Sequence, residues 1–128
     1  MRLAKELRGL LHSGTVRHAD FHDPALRGRG VVAPDGSHAV WVVDTVTNLR
    51  DVLTERLVPL GLDVDRTYRV RLREDAGAAK WGWNTPEWVK AARTDAGFEV
   101  SGRLLLGVGL QVPPLWPMQA LVLEFTAE

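Results

Sequence analysis

The residues with the most chemical potential stand close together near the N-terminus. His18, Asp20, His22 and Asp23 place four potential metal ligands within six residues. Two His four apart converge on one side of a helix, the arrangement that helical zinc sites use. Pro24 and the neighbouring turn formers oppose a helix here, and no second cluster in the chain supplies further ligands. The stretch therefore reads as a polar loop, with no metal expected. Without cysteine, a nucleophile would have to be Ser13, Ser37 or Ser101, and none lies in a Gly-x-Ser-x-Gly elbow. Ser13-Gly14 and Ser101-Gly102 have the chemistry of caps and turns instead. Glycoside cleavage needs two carboxylates facing each other across a cleft. Asp35, Asp63 and Asp65 fall in turns, and nothing in the sequence pairs any two acids. Gly28-Arg29-Gly30 and Gly107-Val108-Gly109 lack the strand-loop-helix context of a phosphate cradle. No catalytic, cofactor-binding or metal-binding residue is assigned.

Tryptophan is the compositional anomaly, supplying five of the nine aromatic residues. Trp41 and Trp116 sit in apolar runs and read as core. Trp81, Trp83 and Trp88 cluster in an aperiodic stretch, where indoles could pack as a lid, meet another protein or stack on sugar rings. Internal packing and a protein contact are the stronger readings, since aromatic enrichment marks interfaces in general.

The elements that would position these residues follow from periodicity. Leu3, Leu7, Leu10 and Leu11 form one apolar face of a short helix over Arg2 to His12, opposite Arg2, Lys5, Glu6 and Arg8. Ser13-Gly14 ends it, with Gly14 suited to the left-handed position after the helix. So short a helix is unstable alone and must dock on something. Pro34-Asp35-Gly36-Ser37 is turn chemistry between Gly30–Ala33 and a strand from His38 to Val46, which predicts a hairpin. Tyr68, Val70 and Leu72 alternate with Arg69, Arg71 and Arg73, the pattern of a strand with one solvated face. Leu57 to Asp63, broken by Pro59 and Gly61, reads as an edge strand. Further strands are expected at Phe98–Val100, Arg103–Val112 and Ala120–Phe125, the last closing the sheet. Glu74 to Gly97 has no clear period. Within it, Thr85-Pro86-Glu87 signals a single helical turn through Trp88, Val89 and Lys90. The expected fold class is all-β, an antiparallel Greek-key β-sandwich entered by one short N-terminal helix, with residues 1–14 as that helix and 15–128 as the sandwich.

Composition excludes several classes. The 128 residues carry 16 basic and 16 acidic side chains, a net charge of zero, which argues against a nucleic-acid partner. Thirteen Arg to three Lys is a scattered bias rather than a patch. No apolar run is long enough to span a bilayer, and Met1 to Glu6 lacks a signal peptide's apolar core, so a cytoplasmic location is expected.

Two stretches go beyond general sandwich grammar. Ser101-Gly102-Arg103-Leu104-Leu105, continuing through Gly109-Leu110-Gln111-Val112-Pro113 and Leu115-Trp116-Pro117 to Ala120-Leu121-Val122-Leu123, resembles the end of the microbial α-galactosidases of glycoside hydrolase family thirty-six. Leu10-Leu11-His12-Ser13-Gly14, then Asp23-Pro24-Ala25-Leu26, Gly30-Val31-Val32-Ala33 and Gly61 to Val70, resembles that family's passage from its barrel into its C-terminal β domain. Together the two cover almost the whole chain. The resemblance implies a non-catalytic C-terminal domain that buttresses a (β/α)8 barrel carrying both catalytic carboxylates. Lys80-Trp81-Gly82-Trp83-Asn84 echoes the family's Lys-Trp-Asp nucleophile segment, but Gly82 stands where the carboxylate would be, so no catalytic residue carries over. The segment from Trp81 to Ala92 matches none of the family's motifs. The helix through Leu3, Leu7, Leu10 and Leu11 would correspond to the barrel's last helix and form the domain interface. The implied partners are that barrel and further copies of the protein, with no cofactor, no nucleic acid and no membrane. A sugar-binding module using Trp81, Trp83 and Trp88 is the alternative, although direct sugar binding is not the favoured expectation.

Overall fold

A computed structural model describes residues 8–19, 21, 26–45, 56–73, 87–92, 96–111 and 120–128. The described residues are mainly β. Strands β1 (Thr15–Ala19), β2 (Leu26–Val32), β3 (His38–Thr45), β5 (Thr67–Leu72), β6 (Phe98–Ser101) and β8 (Ala120–Ala127) form a six-stranded antiparallel sheet in the order β1-β2-β3-β8-β5-β6. The pair β4 (Arg56–Leu57) and β7 (Leu110–Gln111) forms a separate two-stranded ladder. Among the described residues this ladder is the only counterpart of a second sheet.

Period-two patterning decides which face each strand buries. On β2, Leu26, Gly28, Gly30 and Val32 are buried while Arg27 and Arg29 point out. The same face continues through Ala39, Trp41 and Val43, then Leu121, Leu123 and Phe125, then Tyr68, Val70 and Leu72. Leu57 and Leu110 from the ladder cover it, together with residues of two short helices, α2 (Glu87–Ala92) and α3 (Gly102–Gly107). Trp41 is fully buried opposite Gly30, and a Cβ on Gly30 would lie 2.4 Å from the indole ring. The glycines of Gly28-Arg29-Gly30 thus make room for Trp41 and Phe21 rather than for a phosphate.

The predicted hairpin is present. Gly36 holds the turn at φ 73°, Asp35 accepts from the Ser37 amide and hydroxyl, and those bonds hold the Asp35 carboxyl below its ordinary pKa. Tyr68 pins this turn to the rest of the fold. Its hydroxyl donates to the Gly36 carbonyl and accepts from the Asp63 amide, and burial raises its pKa, so the donor proton is retained. The chain terminus adds bonds from Ala127 to Ser37 and from Glu128 to Thr67.

The structure corrects several expectations. Arg103–Val112 is not a strand. Ser101 caps α3 by accepting from the Leu104 amide at 3.1 Å, and Leu105 alone of the three leucines is fully buried, a helical rather than an alternating pattern. Of its described residues only Leu110 and Gln111 form a strand, and Val112 lies outside them. Helical structure is therefore not confined to the N-terminus, since α2 and α3 both lie in the C-terminal half. The last strand does not close the sheet at an edge but enters its middle, between β3 and β5. Leu57–Asp63 contributes one strand residue to the ladder before turning at Leu60-Gly61, instead of forming an edge of the large sheet. His18 lies on β1 rather than in a loop, whereas Asp20, His22 and Asp23 lie outside the described residues. Gly14 is not left-handed. Its role is steric, because a Cβ there would meet Val31 and the Leu10 carbonyl.

Candidate interdomain face

The opposite side of the sheet carries the residues with interaction potential. Helix α1 (Arg8–Ser13) lies here and contacts β2. Leu10 is buried against Val40, with Val31, Ala33 and Val122 packed around the pair, as a small cluster distinct from the main core. Helix α1 ends where the Gly14 amide donates to Leu10 at 2.7 Å and the Ser13 hydroxyl donates to Gly9. Val16 on the neighbouring edge strand remains 59% exposed.

Beside this cluster lies a buried ionic node. Alternation along β8 turns Glu124 away from Leu123 and Phe125, and Val40 and Arg71 are its cross-strand neighbours. Glu124 Oε2 meets His38 Nε2 at 2.7 Å, Oε1 accepts from Arg73 at 2.8 Å, and Arg71 lies 3.8 Å away. Glu124 and Arg73 are only 8% and 6% exposed. Arg73, expected on a solvated face, is instead sunk into this pair. The His38 bond and then the Arg73 bond outweigh the burial that opposes ionisation, so Glu124 is lowered to about 2. A carboxyl held ionised so far below neutrality is poorly matched to proton transfer. Its work is cohesive, tying β3, β8 and β5 across 86 and 51 residues of chain. Farther along the same face, Arg69 bridges Glu99 at 2.7 Å and Glu128 at 2.6 Å.

Of the four leucines expected at an interface, Leu10 is placed as just described. Leu11 belongs to α1, but its side chain, like Leu3 and Leu7 entirely, lies outside the described residues. Trp81, Trp83 and Trp116 lie outside them too. Trp88 is half-buried on α2, packed against the main core with its ring 6.4 Å from that of Phe98, while Val89 and Ala92 are fully buried. Sequence reasoning passed over Glu124. Its signal was a lone charge within the apolar run Ala120–Phe125, but nothing local names its partners.

The described residues form a mainly β module whose one sheet face is tied together by the Glu124 node. A family model described as "Glycosyl hydrolase family 36 C-terminal domain" matches residues 28–125, and the chain belongs to that family. An Escherichia coli α-galactosidase is 29% identical over 127 residues, a match covering 94% of this chain and 17% of the relative. The α-galactosidase of Lactobacillus brevis superposes with a TM-score of 0.72 at 17% identity, over 99% of this chain and 15% of that one. The α-galactosidase AgaA of Geobacillus stearothermophilus, solved in complex with raffinose, gives 0.70 at 17% identity over the same shares. The chain thus spans less than a fifth of the length of these relatives.

Proposed function

We propose that these residues form the non-catalytic C-terminal domain of an α-galactosidase-like glycoside hydrolase and stabilise a catalytic (β/α)8 barrel by packing against it. In this reading the six-stranded sheet and the β4–β7 ladder are the two layers of a Greek-key sandwich. Residues 1–14 are the end of the barrel's last helix, presenting Leu3, Leu7, Leu10 and Leu11 between the two domains. The observation that carries the reading is Leu10, a helix residue buried on the sheet face opposite the main core, where a sandwich alone has no need of a helix. The family match supplies the class of parent. The exposed Val16 beside this cluster suits a surface that a larger neighbour covers.

The test is to express the longer protein encoded with this segment, with and without residues 15–128. Loss of soluble enzyme, or a fall in melting temperature of several degrees, supports the buttressing role. Unchanged stability and turnover after the deletion overturn it. Calorimetric titration of the chain with raffinose provides a separate discriminator: saturable heat abolished by Trp83→Ala would favour the sugar-binding module instead.

A further inference from the structure

Among the described residues five large apolar side chains stand well exposed, and four of them gather on one surface. They are Leu60, Val64, Leu104 and Val108, each between 42% and 52% exposed. Two chain segments build this surface side by side. The Gly102 amide donates to the Arg66 carbonyl at 2.7 Å, and a Cβ on Gly102 would strike the Asp63 carbonyl. At the other end, a Cβ on Gly109 would meet the Leu57 carbonyl and Val58. Residues 102–109 therefore run antiparallel to 57–66, which brings Leu104 and Val108 alongside Leu60 and Val64. Leu57, Leu62, Leu105 and Leu110 fill the inner side of both segments as part of the main core, so the exposed four point outwards. Leu104 and Val108 stand one helical turn apart, and Gly107 beside them leaves a notch, with nothing within 4 Å of where its Cβ would be. Helix α1 and Leu10 lie on the other side of the sheet. A neighbour docked along α1 is separated from this surface by the sheet and the core.

We propose that this surface is the contact between two copies of the chain related by a twofold axis. Its charges complement themselves. Alternation on β4 turns Arg56 outwards from the buried Leu57, at the Gly109 end of the surface. Arg56 is exposed and has no ion-pair partner among the described residues. Asp65 stands at the Gly102 end, its side chain 79% exposed and 3.5 Å from an equally exposed Arg103, which leaves it room for a second cation. A twofold axis through the middle exchanges the two ends, so Arg56 of each copy meets Asp65 of the partner subunit. The apolar side chains then pack at the centre with the charged groups as a rim, the usual division of a protein–protein contact. The notch at Gly107 lets the two α3 helices approach closely. A partner of one charge sign would leave either Arg56 or Asp65 unmatched, whereas a chain of zero net charge does not repel its own copy. The inference rests on this surface alone and does not depend on the barrel.

The experiment is sedimentation equilibrium of the 128-residue chain from about 1 μM to about 1 mM, the affinity range of a small interface. A reversible, concentration-dependent passage from monomer to dimer is expected. Leu104→Lys should keep the parental far-ultraviolet spectrum, because the side chain is exposed, and weaken the dimer by about tenfold or more. Arg56→Glu and Asp65→Arg should each weaken it by about tenfold, since the axis counts each rim pair twice, and the two together should restore the parental dimer. Val16→Asp, on the far side of the sheet, should change nothing. The proposal is overturned if the chain stays monomeric throughout, if Leu104→Lys dimerises as tightly as the parent, or if the double exchange fails to restore the dimer. A dimer broken by Val16→Asp would put the contact on the α1 side and overturn it too. Should the chain be monomeric while Leu104→Lys lowers the melting temperature of the longer protein, the surface faces the rest of that protein; this proposal then fails and the buttressing role stands.

Discussion

Replacing Glu124 by Gln tests whether the ionic node holds three strands together. The side chain is 8% exposed, accepts from His38 and Arg73, and is lowered from 4.5 to about 2. Because the folded value lies below the unfolded one, the contribution is fully present above pH 4.5 and disappears as pH falls through about 2. At roughly 1.36 kcal/mol per pH unit, the fall corresponds to about 3 kcal/mol of stability at neutral pH. Gln keeps the size and one acceptor but removes the charge that His38 and Arg73 face. Losing one partner of a buried pair typically costs about 3–5 kcal/mol. Urea unfolding at pH 7, 5 and 3 reads both consequences. At pH 7 the variant should be less stable by about 2–4 kcal/mol, and the difference from the parent should shrink towards pH 3 as the carboxyl of the unfolded chain takes up its proton. Equal stability at pH 7, or a difference that stays constant across the three pH values, would refute the assignment of this stability to the Glu124 charge.

Three further substitutions probe separate joints. Tyr68→Phe leaves the Gly36 carbonyl and the Asp63 amide without their shared hydroxyl, and should cost about 1–3 kcal/mol in chemical denaturation, with a parental far-ultraviolet spectrum. Gly30→Ala drives a methyl into the Trp41 indole and should destabilise by about 1–3 kcal/mol, with an altered tryptophan emission spectrum; a neutral result would contradict the packing of that ring on β2. Ser101→Ala removes the cap of α3 and should lower stability by about 1 kcal/mol, whereas Ser101→Asp should retain most of it.

Much of the large sheet was legible because its strands alternate. The hairpin through Pro34 to Ser37 and the strand of Tyr68, Val70 and Leu72 carry their signals within a few residues. The helix at Trp88 was legible as well, from its start signature. The leucine run after Ser101 was not, because apolar residues in succession suit a strand or a buried helix equally, and only the Ser101 cap decides between them. Sheet order was hidden for a different reason. Placing β8 between β3 and β5 depends on pairings across more than fifty residues, which no local pattern records. The same distance hid the ionic node: Arg73 continues the solvated face of its own strand in sequence, and its pairing with Glu124 from β8 is not recorded in any local pattern. At the proposed interface the helical spacing of the leucines was readable, and the position of Leu10 over Val40 shows what one of them packs against.

In the proposed function this domain supports catalysis without performing it. Its most direct test is hydrolysis of nitrophenyl α-galactoside by the purified 128-residue chain. The account predicts no release of nitrophenol above the buffer rate at any pH. Turnover that disappears when an acidic residue such as Asp44 or Glu124 is replaced by its amide would contradict it.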